Sequence, residues 1–323
     1  MAVYTRVASE DIATFLERYD VGTLRSAKGI AEGVENSNYL IETSKDRYIL
    51  TLYEKRVDPA DLPFFIALLD HLAERGLAVP PMIADKNGEK IQTLAGRTAC
   101  LIRYLPGISL TQPTAEQALS AGRALGDMHL AAEDFSMQRA NSMGPESWHA
   151  LAEDIGADAL QEISPGLADV IAITLADIDA HWPADAPKSP IHADLFPDNV
   201  LMLGDDVTGI IDFYFSCTDI RAYDLAVTHS AWCFSEDGAH FDKAISEALL
   251  DGYFSVIARE PQEFAADRLT LLARGAALRF LLSRAYDWIH TPPDALVTRK
   301  DPMAFAHRLA FYSDPARANI FAA

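Results

Sequence analysis

The sequence is poor in cysteine and lacks long apolar segments. Its three cysteines, Cys100, Cys217 and Cys233, show no C-x-x-C spacing, so we expect neither a disulfide framework nor a cysteine zinc site. No segment reaches the ~18 uninterrupted apolar residues that a membrane helix requires. Acidic residues precede the first apolar run, which argues against a secretory signal. We therefore expect a cytoplasmic protein with no membrane partner.

Basic residues are also scarce relative to acidic ones. Lysine and arginine total 27 and aspartate and glutamate total 47, giving a net charge of −20 at pH 7. Such a chain repels nucleic-acid phosphates unless a basic patch overrides the repulsion, and we find no run of lysine or arginine. We therefore expect no nucleic-acid partner, and a phosphorylated small ligand stays possible if the protein supplies local cations, a metal or backbone N–H groups. The sequence does not indicate the oligomeric state.

Two halves of different character are present, with half of all residues hydrophobic. Residues 1–104 contain runs typical of strands, and one helix beginning near Pro59 and ending near Gly76 interrupts them. These predicted strands are Asn38–Glu42, Tyr48–Tyr53 and Ala99–Tyr104. This arrangement predicts a small α+β domain at the N-terminus.

Residues 105–323 show mainly helical periodicity. Thr114 and Gln117 form a capping-box pattern ahead of one helix. Further predicted helices are Ile163–Ile178, Phe241–Ala258, Phe264–Trp288 and Met303–Tyr312. Within this half, 199–213 reads as a β-hairpin turning at Gly204. We predict a larger helical domain that carries one hairpin.

The hairpin and the loop before it contain the most informative motif. Asp194 is followed five residues later by Asn199 and then a strand, which matches the H-x-D-x-x-x-x-N loop of kinases, and Asp212 ends the hairpin. Because a hairpin returns the chain to its starting end, Asn199 and Asp212 are expected side by side. There they would bind Mg²⁺ that bridges ATP phosphates, while Asp194 accepts the proton of an attacking hydroxyl.

Together with 223–226, these motifs resemble the aminoglycoside-phosphotransferase/choline-kinase superfamily. Within it, the segments 28–39, 48–54, 71–77 and 277–284 resemble bacterial homoserine kinases of the kinase-like type. The resemblance implies a two-lobed protein-kinase-like fold, with a sheet-rich N-lobe over 1–104 and a helical C-lobe over 105–323. It implies L-homoserine as substrate and O-phospho-L-homoserine, a precursor of threonine, as product.

Nucleotide contacts are expected at two places in the N-terminal half. Small residues before the first predicted strand would let backbone N–H groups approach phosphate. These candidates are Gly29, Gly33, Asn36, Ser37 and Asn38. Arg103 and Tyr104 lie where the segment between the lobes should pair with adenine.

The strand lysine of kinases is not found at its expected place. Alignment of the predicted strand puts Thr51 there, and Lys55, Arg47 or Lys28 could supply the charge instead.

Homoserine carries an ammonium and a carboxylate, so its pocket needs charges of both signs. Arg139, Arg221, Arg279 and Arg284 are candidates for the carboxylate, because a guanidinium binds a carboxylate through two hydrogen bonds. Asp219 is the candidate for the ammonium.

Three further polar residues are assigned to structural support. His129 lies on the apolar face of a predicted helix, His192 adjoins Asp194, and Asp224 could cap a helix or bond the catalytic loop.

Two alternatives stay open. The same chemistry could act on an amino alcohol, a sugar or an aminoglycoside, and the missing lysine would also suit a pseudokinase that binds nucleotide without turnover.

Overall fold

The computed structural model describes residues 5–30, 36–54, 58–291 and 299–322. The helices in these ranges are α1 (Ser9–Leu16), α2 (Leu62–Glu74), α3 (Ala115–Ala131), α4 (Pro145–Ile155), α5 (Ala157–Ile163), α6 (Leu167–His181), α7 (Arg221–Trp232), α8 (Lys243–Phe254), α9 (Pro261–Phe264), α10 (Ala266–His290) and α11 (Met303–Ser313). The strands are β1 (Leu24–Gly29), β2 (Asn36–Thr43), β3 (Arg47–Tyr53), β4 (Gln92–Leu94), β5 (Arg97–Arg103), β6 (Ile108–Ser109), β7 (Lys188–Ile191), β8 (Val200–Leu203), β9 (Asp206–Ile210) and β10 (Cys217–Ile220). The predicted α+β class is confirmed.

The N-terminal strands form one antiparallel sheet in the order β1-β2-β3-β5-β4. Apolar side chains alternate along the strands, so that one face buries Ile41, Leu50 and Leu101 in a common core. Helix α1 contributes Ile12 and Phe15 to the same core. Helix α1 therefore covers this apolar face of the sheet and removes it from water.

The later strands form two small sheets. Strands β8 and β9 make the predicted hairpin, and β6 pairs with the outer side of β8. Strand β7 pairs antiparallel with β10, with Ile191 opposite Cys217. The end of β7 is thereby fixed where the motif His192–Asn199 begins.

Helix α10 is the longest helix described, with 25 residues. It buries apolar residues on most of its circumference, including Leu272, Leu278 and Leu282. A helix that is apolar on nearly all sides lies inside a bundle, and α10 packs against α4, α6, α7 and α11.

Two predicted helices begin later than the apolar pattern indicates. The one expected over Ile163–Ile178 is divided, because Pro165 cannot continue α5 and Gly166, with φ +82°, precedes α6. The one expected from Phe264 is likewise divided at Ala265, whose ψ of 143° is extended. Apolar periodicity runs across both breaks and so does not reveal them.

Backbone contacts divide the chain into two compact units. One contains Met1–Gly107 with Thr208–Tyr214, and the other contains Ile108–Val207 with Phe215–Ala323. The boundary passes through β9, so the hairpin contributes strands to both units. Within the described ranges, no helix combines the length and apolar character needed to cross a bilayer.

Candidate active site

The segment between β7 and β8 carries the kinase-like motif. It leaves the strand at Ile191, and a 3-10 turn over Pro197–Asn199 leads into β8. Ala193 adopts φ +63°, in the left-handed region that non-glycine residues rarely occupy. Asp194, the next residue, is partly exposed, whereas Ala193 and Leu195 on either side of it are buried. The backbone thus turns the Asp194 carboxylate outward between two buried side chains.

Buried hydrogen bonds hold the loop in this conformation. The Asp224 carboxylate, on the first turn of α7, accepts the N–H groups of His192 and Ala193, both at 2.7 Å. His129 Nε2 lies 3.0 Å from the same carboxylate, and its Nδ1 lies 2.9 Å from the Tyr253 hydroxyl. Asp224 and His129 are fully buried. An aspartate from α7 therefore fixes the residues just before Asp194.

The charge of Asp224 is kept in spite of its burial. Burial alone raises the pKa of this carboxyl, but the hydrogen bonds and charge of His129, with those of His192, outweigh it and hold the pKa below its ordinary value. A carboxylate that accepts three N–H donors is most stable when ionised.

Two more long-range donors contact the carbonyl side of the loop. Trp232 Nε1 donates to the Leu195 carbonyl at 2.9 Å, and the Arg279 guanidinium donates to the Ala193 carbonyl. Both donors come from buried helix residues. Neither Trp232 nor this role of Arg279 was predicted, because no local sequence pattern connects α7 or α10 to the loop.

Asn199 is oriented by Asp194. Its Nδ2 donates to the Asp194 carbonyl at 2.8 Å and lies 3.3 Å from Asp194 Oδ2. With the amide nitrogen so used, Oδ1 remains as an acceptor, and an amide oxygen is a suitable ligand for Mg²⁺.

Asp212 follows β9 with φ +66° and an exposed side chain. It lies in the first compact unit, whereas Asp194 and Asn199 lie in the second. Among the described residues there is no cluster of three or more His, Cys, Asp or Glu side chains that could bind a metal by itself.

Four of the five residues predicted to approach phosphate lie in strands of the described structure. Asn36, Ser37 and Asn38 are the first residues of β2, and Gly29 is the last residue of β1. The Ser37 hydroxyl donates to Glu54 at 2.7 Å, and Asn38 Oδ1 accepts from Thr51 at 2.7 Å. These side chains are occupied within the sheet because strand pairing continues further than the turn residues indicate. Gly33 lies outside the described residues.

Thr51, at the expected lysine position, is buried in β3 and hydrogen-bonded to Asn38. Of the three cations considered as substitutes, Lys28 is exposed on β1, and Arg47 stacks 4.3 Å from the Tyr104 ring centre. Lys55 lies outside the described residues.

Arg103 was predicted as a nucleotide contact. Its backbone N–H donates to the Pro81 carbonyl at 3.1 Å, and the residue pairs with Tyr48 in the sheet. The backbone N–H of Arg103 is therefore bonded within the protein. Tyr104 is the first residue after β5.

Two of the predicted substrate residues are already paired. Arg221 makes a two-point ion pair with Glu263, at 2.9 and 2.7 Å, and also contacts Glu133 at 3.1 Å. Asp219 accepts from Asn141 Nδ2 at 2.8 Å and lies 3.7 Å from Lys188. The Arg221 pairing argues against its predicted role, because the fork that would bind a substrate carboxylate already binds one.

The other predicted arginines differ in their environment. Arg139 donates from Nη1 to the Ser216 carbonyl at 3.0 Å. Arg279 is buried against the rings of Phe215 and Phe280. Arg284 stacks 4.5 Å from the ring centre of Phe305.

A profile of the phosphotransferase enzyme family matches residues 26–259, which include the braced loop, Asn199 and Asp212. The chain belongs to this family. Full-length relatives of this phosphotransferase include the homoserine kinase of Zymomonas mobilis subsp. mobilis, 53% identical over 97% of this chain and 98% of the relative. The homoserine kinase of Rhizobium meliloti is 50% identical over 97% of this chain and 94% of the relative.

Solved structures of low sequence identity share the fold. The amicoumacin kinase hAmiN, determined in complex with AMP-PNP, Ca²⁺ and its ligand Ami, aligns with a TM-score of 0.71. The identity is 14%, and the alignment covers 94% of this chain and 92% of that chain. The phosphotransferase fold expected from the sequence motifs is thus found along nearly the whole chain.

Proposed function

We propose that this phosphotransferase catalyses the ATP-dependent phosphorylation of the L-homoserine hydroxyl, a step toward threonine. The observation that carries the proposal is the 53% identity, over nearly the full length of both chains, to a protein named homoserine kinase. The intact motif residues Asp194, Asn199 and Asp212 support turnover over the pseudokinase alternative.

In the proposed reaction the bond between the γ-phosphorus and the β,γ-bridging oxygen breaks, and a bond from the γ-phosphorus to the homoserine oxygen forms. Asp194 orients the hydroxyl and accepts its proton. The outward position of its carboxylate, with Asn199 Nδ2 3.3 Å from Oδ2, supports this role. ADP and O-phospho-L-homoserine are the products.

Asn199 Oδ1 and the Asp212 carboxylate would hold Mg²⁺. When bound, the ion would offset the negative charge of the ATP phosphates. The use of ATP with a divalent cation is supported by the AMP-PNP and Ca²⁺ bound to the structural neighbour hAmiN. For the nucleotide, Gly29 at the end of β1 and Tyr104 beyond β5 remain proposed contacts.

A cytoplasmic location is part of the proposal. Cys100, Cys217 and Cys233 are buried free thiols, which suits a reducing compartment.

The test is ADP formation by purified protein with ATP and Mg²⁺ in the presence of L-homoserine, choline or an aminoglycoside. We expect kcat/KM for L-homoserine to exceed that for the others by at least ~10²-fold, because ligands without a carboxylate leave a charged group of the pocket unpaired. A faster reaction with choline or an aminoglycoside would show that L-homoserine is not the preferred substrate, although phosphoryl transfer from ATP would still be the reaction. ADP formation no faster than with water alone, for every substrate, would favour the pseudokinase.

A further inference from the structure

Arg284, unlike Arg221, has no carboxylate partner among the described residues. It lies on α10 and is partly exposed, and its hydrogen bond within the described ranges is a long contact of 3.3 Å from Nη1 to the Asp301 carbonyl. The Asp301 carboxylate instead accepts the N–H of Met303 at 2.8 Å. Within the described ranges, Arg284 forms no ion pair with a carboxylate. A guanidinium has five N–H donors, so Arg284 has donors available for a further acceptor.

The Arg284 guanidinium lies beside the loop that carries the proposed base. It stacks on Phe305, whose ring centre is 6.2 Å from that of Phe196, two residues after Asp194. Phe280, one turn before Arg284 on α10, contacts Phe196 with ring centres 4.9 Å apart. These aromatic contacts fix the position of Arg284 relative to the catalytic loop, and both lie in the same compact unit.

Charges of both signs surround Arg284. Burial, followed by the charge of nearby Arg308, lowers the pKa of Arg284 to about 10, and Asp301, Asp194 and Asp198 oppose this only in part. Arg308 stacks 4.4 Å from the same Phe305 ring and donates to the carbonyls of Ala304 and Ser235. Arg284 stays protonated at neutral pH, so an incoming anion would gain a charge-assisted contact here.

The chemistry of L-homoserine matches this placement. In the extended molecule the hydroxyl and the carboxylate are separated by roughly 5–6 Å, from ordinary bond lengths. A substrate whose hydroxyl contacts Asp194 therefore needs its carboxylate partner close to that residue. Arg221, paired with Glu263, and Arg279, buried against the Ala193 carbonyl, have other partners.

We propose that Arg284 binds the substrate carboxylate and thereby selects amino-acid alcohols over simple amino alcohols. The inference rests on the proposed function, since it assumes that L-homoserine is the substrate. Arg284 would be a specificity-determining residue that positions the hydroxyl at Asp194 and takes no part in proton transfer.

The experiment compares L-homoserine with 3-amino-1-propanol, which keeps the hydroxyl, the chain and the ammonium but has no carboxylate. kcat/KM is measured for both substrates with the wild-type protein and with Arg284→Gln and Arg284→Lys. Arg274→Gln is the matched control, because Arg274 lies on the same helix and pairs with Asp177 at 2.6 Å. Circular dichroism and the thermal unfolding midpoint check that each variant is folded. If Arg284→Gln is not folded, Arg284→Lys is used for the comparison instead.

For Arg284→Gln we expect kcat/KM for L-homoserine to fall ~10²-fold, the size of a lost charged hydrogen-bonded pair. The kcat/KM for 3-amino-1-propanol should change less than about threefold, since this substrate has no carboxylate to contact Arg284. Arg284→Lys should recover part of the preference for L-homoserine over 3-amino-1-propanol, because lysine keeps the positive charge but lacks the paired N–H donors of the guanidinium. Arg274→Gln should keep the wild-type ratio.

Equal losses for both substrates would overturn the inference, because Arg284 would then act on transfer or on the loop. An unchanged ratio would overturn it as well and place the carboxylate elsewhere. Failure of the proposed function is separate, since it appears as a wild-type protein that does not phosphorylate L-homoserine at all.

Discussion

At the scale of single residues, the candidate site depends on backbone conformations that are unfavourable in isolation. Ala193 and Asp212 have φ values of +63° and +66°, and a non-glycine residue there costs about 1 kcal/mol or more. At Ala193 this cost is offset by hydrogen bonds from its N–H to Asp224 and to its carbonyl from Arg279. The conformation of the catalytic loop is therefore maintained by residues remote in sequence.

Asp194→Ala should abolish phosphorylation while nucleotide binding is nearly unchanged, because the proposed base contacts the acceptor hydroxyl and not ATP. Loss of general-base assistance lowers kcat by ~10²–10⁴-fold. The measurements are ADP formation and calorimetric titration with ATP and Mg²⁺. Asp198→Ala is the control, since Asp198 is an exposed aspartate of the same loop, and it should stay within about threefold of wild type. Full activity of Asp194→Ala would remove Asp194 from the mechanism.

Asn199→Asp and Asp212→Asn should shift the dependence of activity on Mg²⁺ in different ways. Asp212→Asn removes a charge facing the proposed metal and should raise the Mg²⁺ concentration for half-maximal rate. Asn199→Asp adds a charge and should lower it, although kcat falls because the Nδ2 donor to Asp194 is lost. Titration of the rate against Mg²⁺ checks both. Unchanged curves in both variants would mean that these residues do not bind the metal.

At the scale of elements, helices α3 and α8 pack closely because glycines lie where they meet. A Cβ on Gly122 would overlap the Leu249 carbonyl oxygen, and one on Gly252 would overlap the Leu119 carbonyl oxygen. Helix α3 carries His129 and α8 carries Tyr253, which are hydrogen-bonded to each other. The packing of α3 against α8 thus positions the His129–Tyr253 pair, and His129 in turn contacts the Asp224 carboxylate that holds the catalytic loop.

Gly122→Ala should destabilise the protein, although the same change in an open helix stabilises it by up to about 1 kcal/mol. The added methyl group forces the two backbones apart, at a cost of about 2 kcal/mol or more. Urea unfolding of wild type and variant measures the difference in free energy. Arg123→Ala, at the exposed neighbouring position of α3, should change it by less than about 0.5 kcal/mol. A stabilised Gly122→Ala protein would contradict this description of the packing.

At the scale of the whole molecule, stability depends on a neutral histidine buried among three helices. His229 on α7 lies 2.8 Å from the Ser246 hydroxyl of α8 and 2.7 Å from the Tyr312 hydroxyl of α11. Burial lowers its pKa from 6.5 to about 3. Because the unfolded chain takes up a proton below pH 6.5 and the folded protein does not until about pH 3, acid favours unfolding across this interval.

The free energy of unfolding should therefore fall as the pH is lowered from 6.5 to 5, by at most about 1.4 kcal/mol per pH unit from this group. His229→Gln should be less stable at neutral pH but should show a shallower decrease over that range. Urea unfolding at several pH values measures both slopes, and this range lies above the pKa of ordinary carboxyl groups. Equal slopes would show that His229 titrates alike in the folded and unfolded states.

The sequence by itself determined the features that depend on neighbouring residues. The Thr114–Gln117 capping box forms as expected, with both reciprocal hydrogen bonds, because it involves one turn of helix. The hairpin after Asn199 follows from local turn chemistry and from β-type runs. The α+β class and the family followed from the same contiguous motifs.

Only the tertiary structure decided which distant groups complete the site. Asp224 reaches the loop from α7, and His129 reaches Asp224 from α3, across 95 residues of sequence. The extension of β2 through Asn36–Asn38 depended on pairing with β3. Whether an arginine was already paired with a carboxylate also depended on packing, which brought Glu263 to Arg221 and not to Arg284. Local patterns could not decide these points, because buried hydrogen bonds and ion pairs form between segments that packing alone brings together.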